Sequence, residues 1–199
     1  MSRDVVLADM GAGNLGSLRY ALERLGVAPV VSREAETIRK ASHVVLPGVG
    51  AAGPAMKSMR MWKLDEVLRG LTQPLLGVCL GMQLLFEYSE EGDVPGLGLL
   101  SGKVERLKAG KQLRIPHMGW NECRVRHDDA LLDAVHGTGA FVYFVHSYAV
   151  AETPDTLATT DYGGEFSAVV RRGNVCGMQF HPERSAAVGQ RLLANFLAL

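Results

Sequence analysis

The sequence predicts an α/β protein with an open, mostly parallel central sheet, helices on both faces and a strand-rich C-terminal half. In the first half of the chain, short apolar runs alternate with helical patterns. The 23 glycines among 199 residues gather where strands should meet helices. After residue 98 the pattern changes to short strands separated by turns. No repeat or linker interrupts the chain, so we expect a single domain over residues 1–199.

In the first half, strands and helices are expected alternately. Four apolar runs bounded by turn residues predict buried strands: residues 5–8, 30–31, 44–46 and 74–78. Leucines from Leu15 onward recur at helical spacing, with Asn14 placed to cap the helix and Gly26 just past its end. A second helix is expected over residues 64–71. The last of the four strands runs directly into Cys79 and a further apolar stretch.

In the second half, six short strand patterns follow one another without intervening helices. They cover residues 103–107, 121–125, 141–145, 156–160, 167–171 and 175–179. A final helix is expected over residues 186–197, because its large apolar side chains share one face.

Composition and charge exclude several classes of function. The 21 basic residues balance the 21 acidic ones, whereas nucleic-acid-binding proteins normally carry a basic excess. No apolar run approaches the roughly 18 residues that a membrane span needs, and the first apolar run is too short for a signal peptide. Three cysteines without a CxxC spacing cannot all be paired. The expected location is therefore the reducing cytoplasm.

A glycine-rich turn at residues 11–16 follows the first strand and has the form G-x-G-x-x-G. Between a strand and a helix, this pattern is typical of dinucleotide-binding folds, whose pyrophosphate sits at the helix N-terminus. The acidic residue expected about 20 positions later is absent, but Arg33 suits the 2′-phosphate of NADP. The alternative is a tight turn that faces some other surface, because nothing downstream supplies a hydride-transfer site.

A second motif, Gly77-Val78-Cys79-Leu80-Gly81, has the form of the G-x-S-x-G nucleophile elbow with cysteine in place of serine. A sharp strand-to-helix turn brings neighbouring main chains together and therefore requires small residues on either side. The turn would present the thiol at a helix N-terminus, where the dipole favours thiolate. It would also place the N–H of Leu80 to stabilise an oxyanion. The alternative is a buried structural cysteine at the end of a strand.

A nucleophilic cysteine needs a base, and the base needs an orienting group. His181 and Glu183 follow the last strand, and in extended chain alternate side chains point the same way. This pair supplies both groups. His146 is the rival base, but it has no nearby acidic partner in the sequence, and the other histidines lack such a partner as well. Cys123 and His127 lack the second ligand pair of a zinc site, so no metal is expected.

The segment from Gly77 to Gln83 and the later triplet His181-Pro182-Glu183 resemble the class I, or triad, glutamine amidotransferases. Other segments resemble the glutaminase subunits of imidazole glycerol phosphate synthases, which act in histidine biosynthesis. These segments are residues 9–14, 47–50, 116–121 and 143–148. The resemblance covers essentially the whole chain and implies the fold of the class I amidotransferases.

The resemblance implies a reaction and a set of roles. Cys79 would attack the side-chain amide of glutamine to give a thioester and ammonia, with His181 as base and then acid and Glu183 orienting it. The oxyanion donors would be the N–H groups of Val49 and Leu80. The implied glutamine-binding residues are Gly50, Gln83, Ser147 and Tyr148. No cofactor is implied.

The resemblance also implies a partner. Ammonia would pass, within a heterodimer, to a (β/α)₈-barrel cyclase subunit that makes imidazole glycerol phosphate and an aminoimidazole carboxamide ribotide. The residues implied to face that subunit are Gly11, Asn14, Trp120 and Tyr143. The glycine-rich turn then has a role that needs no nucleotide.

The chain departs from the family pattern at three positions outside the triad. Ala52 and Pro54 stand where phenylalanine and aspartate are common, and Arg184 stands where lysine is usual. Two alternative functions remain open. One is a different cysteine hydrolase or a glutaminase that serves another synthase, such as pyridoxal phosphate synthase. The other is a non-catalytic nucleotide-binding module that uses residues 11–16.

Overall fold

The protein is described by a computed structural model that covers residues 4–11, 15–108, 113–135 and 139–199. In these ranges the strands are β1 Val5–Ala8, β2 Val30–Ser32, β3 His43–Gly48, β4 Leu75–Cys79, β5 Phe86–Ser89, β6 Val94–Pro95, β7 Leu100–Arg106, β8 His117–Glu122, β9 Arg124–Val125, β10 Phe141–His146, β11 Tyr148–Val150, β12 Thr156–Asp161, β13 Glu165–Arg172 and β14 Val175–Met178. The helices are α1 Leu15–Glu23, α2 Ala35–Lys40, α3 Ala52–Met61, α4 Leu64–Arg69, α5 Leu80–Leu85 and α6 Ala186–Ala198, with short 3-10 turns at Ala130–Leu132 and Pro182–Arg184.

The central sheet has the strand order β2–β1–β3–β4–β14–β13–β12–β9. From β2 to β14 every neighbouring pair is parallel, and from β14 to β9 every pair is antiparallel. The mostly parallel sheet expected from the sequence is therefore confirmed. The antiparallel extension comes from the strand-rich second half of the chain.

Two hydrophobic clusters cover the two faces of this sheet. Along β1, Val5 and Leu7 enter one cluster while Val6 and Ala8 enter the other, because successive strand residues point to opposite faces. Buried residues of α1 and α6 belong to the first cluster, and those of α2 to α5 belong to the second. Helices on both faces, as predicted, bury the sheet.

Two smaller sheets complete the fold. β11, β7, β5 and β6 form a four-stranded sheet, and β8 pairs with β10 in an antiparallel hairpin-like ribbon. The sequence predicts one strand over residues 121–125, but this strand is interrupted at Cys123. β8 ends just before it, and β9 begins just after it and joins the central sheet. Strand periodicity cannot reveal such a change of sheet, because the alternation of apolar residues continues through it.

The other differences are local. The sequence did not predict α2 and α3, and β3 continues through Pro47 to Gly48 rather than stopping at the proline. The apolar stretch after Cys79 divides into α5 and β5. No helix in the described ranges has the length and apolar character needed to cross a membrane.

Candidate functional site

Cys79 lies at the turn from β4 into α5, at the carboxyl edge of the central sheet between β3 and β14. Its backbone has φ 54° and ψ −114°, a strained conformation for a residue with a side chain. A Cβ on Gly77 would lie 2.7 Å from the carbonyl oxygen of Gly81, and a Cβ on Gly81 would lie 1.8 Å from that of Leu46. The sharp turn expected at this motif is present, and it depends on both glycines.

His181 and Glu183 lie just beyond β14, beside Cys79. The Nδ1 atom of His181 is 2.9 Å from Oε1 of Glu183, and the two side chains are 11% and 2% exposed. The sequence predicts that an extended chain places the side chains of His181 and Glu183 on the same side. The chain is extended only as far as His181, and a 3-10 turn that begins at Pro182 brings Glu183 back toward the imidazole, so the predicted reason for their contact is wrong.

The protonated form of His181 is strongly stabilised. Burial alone would lower the pKa of this imidazole, but hydrogen bonds to Cys79 and Glu183, together with the charges of both partners, raise it to about 10. The hydroxyl of Ser185 donates to the carbonyl of His181 at 2.7 Å, and the N–H of His181 donates to the carbonyl of Tyr143 at 2.9 Å. Both main-chain groups of His181 are therefore hydrogen-bonded, while its ring bonds the side chain of Cys79.

The three cysteines differ in their surroundings. Burial raises the pKa of the Cys123 and Cys176 thiols to about 12, which makes both poor nucleophiles at neutral pH. Among the described residues, Cys79 alone has an imidazole partner, and its Sγ also lies 3.7 Å from the carbonyl oxygen of Val145. The geometry therefore favours Cys79 over the other two thiols for nucleophilic chemistry.

A cavity of about 310 Å³ opens in front of Cys79 and His181. Its wall contains all six residues that the sequence assigns to the oxyanion and to glutamine: Val49, Gly50, Leu80, Gln83, Ser147 and Tyr148. Glu183 is not part of this wall, since it lies behind the imidazole. The tertiary structure thus gathers residues from β3, α5 and the β10–β11 turn around one thiol.

The side-chain amide of Gln83 is hydrogen-bonded within the protein and supports this wall. Its Nε2 donates to the carbonyl oxygen of Tyr148 at 2.8 Å and to Oε1 of Gln179 at 3.0 Å. Both amide hydrogens are then used inside the protein. Gln83 can therefore offer only its carbonyl oxygen to a bound molecule.

Glu91 is a cavity residue that the sequence analysis missed. Its Oε2 accepts the N–H of Ala52 at 2.9 Å, and burial raises the pKa of the carboxyl group despite that hydrogen bond. In the sequence, Glu91 belongs to an acidic surface-like run before Gly92 and carries no motif. Only the packing of this loop against the N-terminus of α3 reveals its position.

Two further histidines lie close to the cavity. His146, the rival base, binds the carbonyl of Tyr148 and the ring of His117 instead, and burial lowers its pKa to about 3. It is therefore not a base for Cys79. His117 has no acidic partner predicted from the sequence, but β8 and β10 place it directly opposite His146, a contact that the sequence does not reveal.

Of the described residues expected to face a partner, Trp120 and Gly11 are exposed and Tyr143 is half-buried. Trp120 and Tyr143 are cross-strand neighbours whose rings meet edge to face at 5.9 Å, and the guanidinium of Arg184 lies 4.6 Å from the Tyr143 ring centre. Gly11 is exposed, with φ 76°. Asn14 lies outside the described residues.

Arg33, the residue considered for a 2′-phosphate, already has two partners. It forms an ion pair with Asp9, and its guanidinium lies 4.0 Å from the ring centre of Trp62. A Cβ on Gly11 would lie 2.7 Å from the same indole. The described part of the turn is thus packed against a side chain. In the described ranges, no group of three or more metal-ligating side chains comes together.

Residues 6–199 match the family model described as glutamine amidotransferase class-I. The chain is 55% identical over 196 residues to an imidazole glycerol phosphate synthase subunit HisH from Xanthomonas axonopodis pv. citri, with 98% of both chains covered. It is 53% identical to a protein of the same name from Xylella fastidiosa, again with 98% of both chains covered.

Solved structures with similar folds include a crystal structure of a glutamine amidotransferase, with a TM-score of 0.74 and 24% identity over 98% of this chain and 97% of that one. Another is PurLQS from Thermotoga maritima, with a TM-score of 0.73 and 18% identity over 100% of this chain and 99% of that one. At this level of identity the two structures show the fold alone.

Proposed function

Since the chain belongs to the class I glutamine amidotransferase family, we propose that it is the glutaminase subunit of an imidazole glycerol phosphate synthase. It hydrolyses glutamine to glutamate and ammonia and supplies the ammonia to a cyclase subunit in histidine biosynthesis. The relatives that share 53–55% of its sequence carry the name of that subunit. The assembly of Cys79, His181 and Glu183 at one cavity supports the same chemistry.

In this proposal the proton of the Cys79 thiol resides on His181, whose pKa is raised to about 10, and the resulting thiolate attacks the side-chain amide carbon of glutamine. The imidazolium then protonates the departing nitrogen, which leaves as ammonia, and a γ-glutamyl thioester remains. His181 next removes a proton from water, which attacks the thioester and releases glutamate. Glu183 holds the ring by its 2.9 Å hydrogen bond to Nδ1, so that Nε2 remains free for the thiol.

Two main-chain N–H groups stabilise the tetrahedral oxyanion. Leu80 opens α5 directly after the nucleophile, where the first N–H groups of a helix have no carbonyl partner within it. Val49 lines the same cavity directly after β3 and is followed by Gly50, whose φ of 97° allows the intervening peptide to turn. The Leu80 donor is preformed by the elbow, whereas the Val49 donor depends on the orientation of a flexible peptide.

Glutamine binds in the cavity with its amide toward Cys79. Gly50, Gln83, Ser147 and Tyr148 form the wall around its carbon chain and carboxylate. The Glu91 carboxylate lines the same cavity and is the acidic side chain there. We assign it to the α-ammonium group of glutamine, because a partly buried carboxylate favours a cation as its partner.

The ammonia acceptor is a (β/α)₈-barrel cyclase subunit, bound as a heterodimer. Met118, Trp120 and Phe141 are exposed on the β8–β10 ribbon, and such exposed apolar side chains are typical of interaction surfaces. We assign Trp120, Tyr143, Gly11 and Asn14 to that contact.

We also infer that residues 1–199 act as one amidotransferase domain. We infer further that the complex works in the cytoplasm, because all three cysteines are free thiols.

The observation that carries the proposal is the meeting of Cys79, His181 and Glu183 at a cavity in a chain 55% identical to a subunit of that name. The test is a glutaminase assay of the purified chain with and without the candidate cyclase and its nucleotide substrate. We expect glutamate release to depend on the loaded cyclase. Release of no glutamate under any of these conditions would contradict the proposal.

A further inference from the structure

A pair of buried histidines links the β8–β10 ribbon to the glutamine cavity. His117 opens β8 and His146 closes β10, and the antiparallel register places them opposite each other. Nδ1 of His117 lies 3.1 Å from Nε2 of His146. Burial lowers the pKa of His117 to about 4 and that of His146 to about 3, so both rings are neutral at neutral pH. The catalytic steps described above use neither ring.

The neighbours of this pair determine its tautomers. Nδ1 of His146 lies 2.8 Å from the carbonyl oxygen of Tyr148, which can only accept, so His146 carries its hydrogen on Nδ1. Its Nε2 is then an acceptor, and Nδ1 of His117 must donate to it. Nε2 of His117 is left as an acceptor and lies 3.4 Å from Nδ2 of Asn121.

The orientation of the Asn121 amide agrees with this direction. Its Oδ1 accepts the N–H of Glu122 at 2.8 Å, and its Nδ2 donates to the carbonyl oxygen of Asp161 at 2.9 Å. Hydrogens therefore point in one sense along the chain, from Asn121 through His117 and His146. Each neutral ring both accepts and donates, which aliphatic and phenyl side chains cannot do.

At its other end the chain reaches the cavity wall. The carbonyl oxygen of Tyr148 receives a second hydrogen bond from Nε2 of Gln83, which also binds Gln179. Nε2 of Gln179 in turn lies 4.0 Å from Sγ of Cys79. Five buried or partly buried side chains thus connect the ribbon to the thiol through the residues that line the glutamine cavity.

We propose that His117 and His146 are positioning residues that fix the Tyr148–Gln83 wall of the glutamine cavity to the β8–β10 ribbon. The proposal rests on the proposed function, because glutamine is the molecule that this wall would contact. The ring of His117 is stacked between Phe144 and Tyr162, with centroids 4.7 and 3.9 Å away. It is therefore held rigidly enough to transmit a displacement of the ribbon, whose outer face carries Trp120.

The test compares two substitutions of His117 in the complex with the cyclase and its nucleotide. His117→Phe keeps an aromatic ring in the stack but removes both hydrogen bonds. His117→Asn keeps an N–H close to the position of Nδ1 and is the rescue variant. His127→Asn, at an exposed histidine, is the matched control. KM and kcat for glutamine are measured for all three and for the unchanged chain, with thermal unfolding as a check of folding.

We expect His117→Phe to raise KM for glutamine about fivefold, with kcat within about twofold, because the wall that contacts bound glutamine loses its support while no transition-state interaction is removed. His117→Asn should recover most of that loss, and His127→Asn should match the unchanged chain. Equal KM in all variants, or equal loss in His117→Phe and His117→Asn, would overturn the proposal. No glutamine hydrolysis by the unchanged complex would instead contradict the proposed function.

A spectroscopic measurement tests the same proposal without activity. In protein labelled with ¹⁵N-histidine, the ring-nitrogen shifts distinguish the two neutral tautomers. We expect both His117 and His146 to carry hydrogen on Nδ1 at neutral pH. An Nε2–H tautomer or a protonated ring at either position would break the directed chain and overturn the proposal.

Discussion

Gly81 packs directly onto the main chain of Leu46: a Cβ at position 81 would lie 1.8 Å from the Leu46 carbonyl oxygen. Real Cβ atoms do not approach so closely, and the obstacle is backbone of the neighbouring strand β3 rather than a movable side chain. The glycine after the nucleophile is therefore required by the contact between α5 and β3. It lets α5 pack against β3, whose last residue Gly48 pairs with Cys79, so that Cys79 and Val49 line one cavity.

Gly81→Ala should accordingly lower the free energy of unfolding by about 2 kcal/mol or more, since overpacking against backbone cannot relax locally. Gly16→Ala is the matched control, because Gly16 lies in α1 with no atom within 4 Å of its added Cβ. There we expect stabilisation of about 0.5–1 kcal/mol from helix propensity. Denaturant unfolding measures both, and equal effects of the two changes would contradict the packing argument.

Cys79 should be the thiol that reacts with a glutamine-like affinity label such as a diazo-ketone analogue. Cys123 and Cys176 have no imidazole partner in the part of the chain that the structure describes, and burial raises their pKa values. Peptide mapping by mass spectrometry measures the modified position. An adduct mainly on Cys123 or Cys176 would remove Cys79 from the proposed mechanism.

Cys79→Ala and His181→Ala should each lower glutamine-dependent synthesis by several orders of magnitude, because members of a catalytic unit act together. Synthesis from added ammonia in the complex should continue, since the lost chemistry precedes ammonia. Both activities are measured on the same preparations. Loss of ammonia-dependent synthesis in Cys79→Ala would mean that Cys79 has a structural role.

Glu183→Gln should make the stability of the protein less dependent on pH. The pKa of His181 is raised above its ordinary value of 6.5 to about 10. A raised folded-state pKa stabilises the fold fully below 6.5, and this contribution is lost as pH rises through about 10. Removing the carboxylate charge lowers the pKa of His181. The difference in unfolding free energy between the two proteins should therefore be largest below pH 6.5 and shrink toward pH 10.

In the same variant we expect glutaminase activity to fall less than in His181→Ala, because water or a neighbour can partly replace the orienting group. An unfolding difference that grows with pH would contradict this account of the Glu183–His181 pair.

The loaded cyclase should stimulate glutaminase activity at least about a hundredfold, if rotation of the Val49 peptide supplies the second oxyanion donor. Gly50→Ala should blunt that stimulation without weakening complex formation. Gly50 has φ 97° and no atom within 4 Å of an added Cβ, so an alanine there meets no steric clash but strains the backbone in this orientation and restricts its rotation. Kinetics with and without partner measure the effect, and full activity of the isolated chain would refute the gating.

Gly48→Ala is expected from the sequence to act as Gly50→Ala does, but the structure predicts a different result. A Cβ at Gly48 would lie 2.5 Å from the Met10 methyl and 2.8 Å from the main-chain nitrogen of Gly81. Gly48→Ala should therefore lower stability more than Gly50→Ala does, because only the former adds a steric clash to the change in backbone, and thermal unfolding measures the difference.

The chain should show no saturable binding of NAD or NADP. Arg33 is already engaged by Asp9 and Trp62, so a 2′-phosphate would have to displace both. Calorimetric titration measures this directly. Micromolar NADP binding that is lost in Arg33→Ala would restore the dinucleotide interpretation of residues 11–16. If residues 11–16 contact the cyclase, Asn14→Asp should weaken association with that subunit, because it adds a charge with little change of shape.

The alternation of apolar runs and helical patterns was enough to predict a mostly parallel sheet with helices on both faces. It succeeded in β1 and β4 because strands buried on both sides need continuous apolar residues. It failed at Cys123, where one apparent strand divides between two sheets. It also missed α2, a short helix with a single buried side chain, Ile38. Local pattern carries no information about which sheet a strand will join.

At the site, local motifs were enough to predict the residues of the proposed chemistry, because the elbow glycines and the His181–Glu183 spacing are requirements within a few residues of chain. What surrounds these residues depends on the tertiary structure. Glu91 reaches the cavity through a loop packed on α3, and His146 is excluded as a base by its burial against His117. Both outcomes depend on desolvation and on contacts between residues distant in the chain, which no short motif encodes.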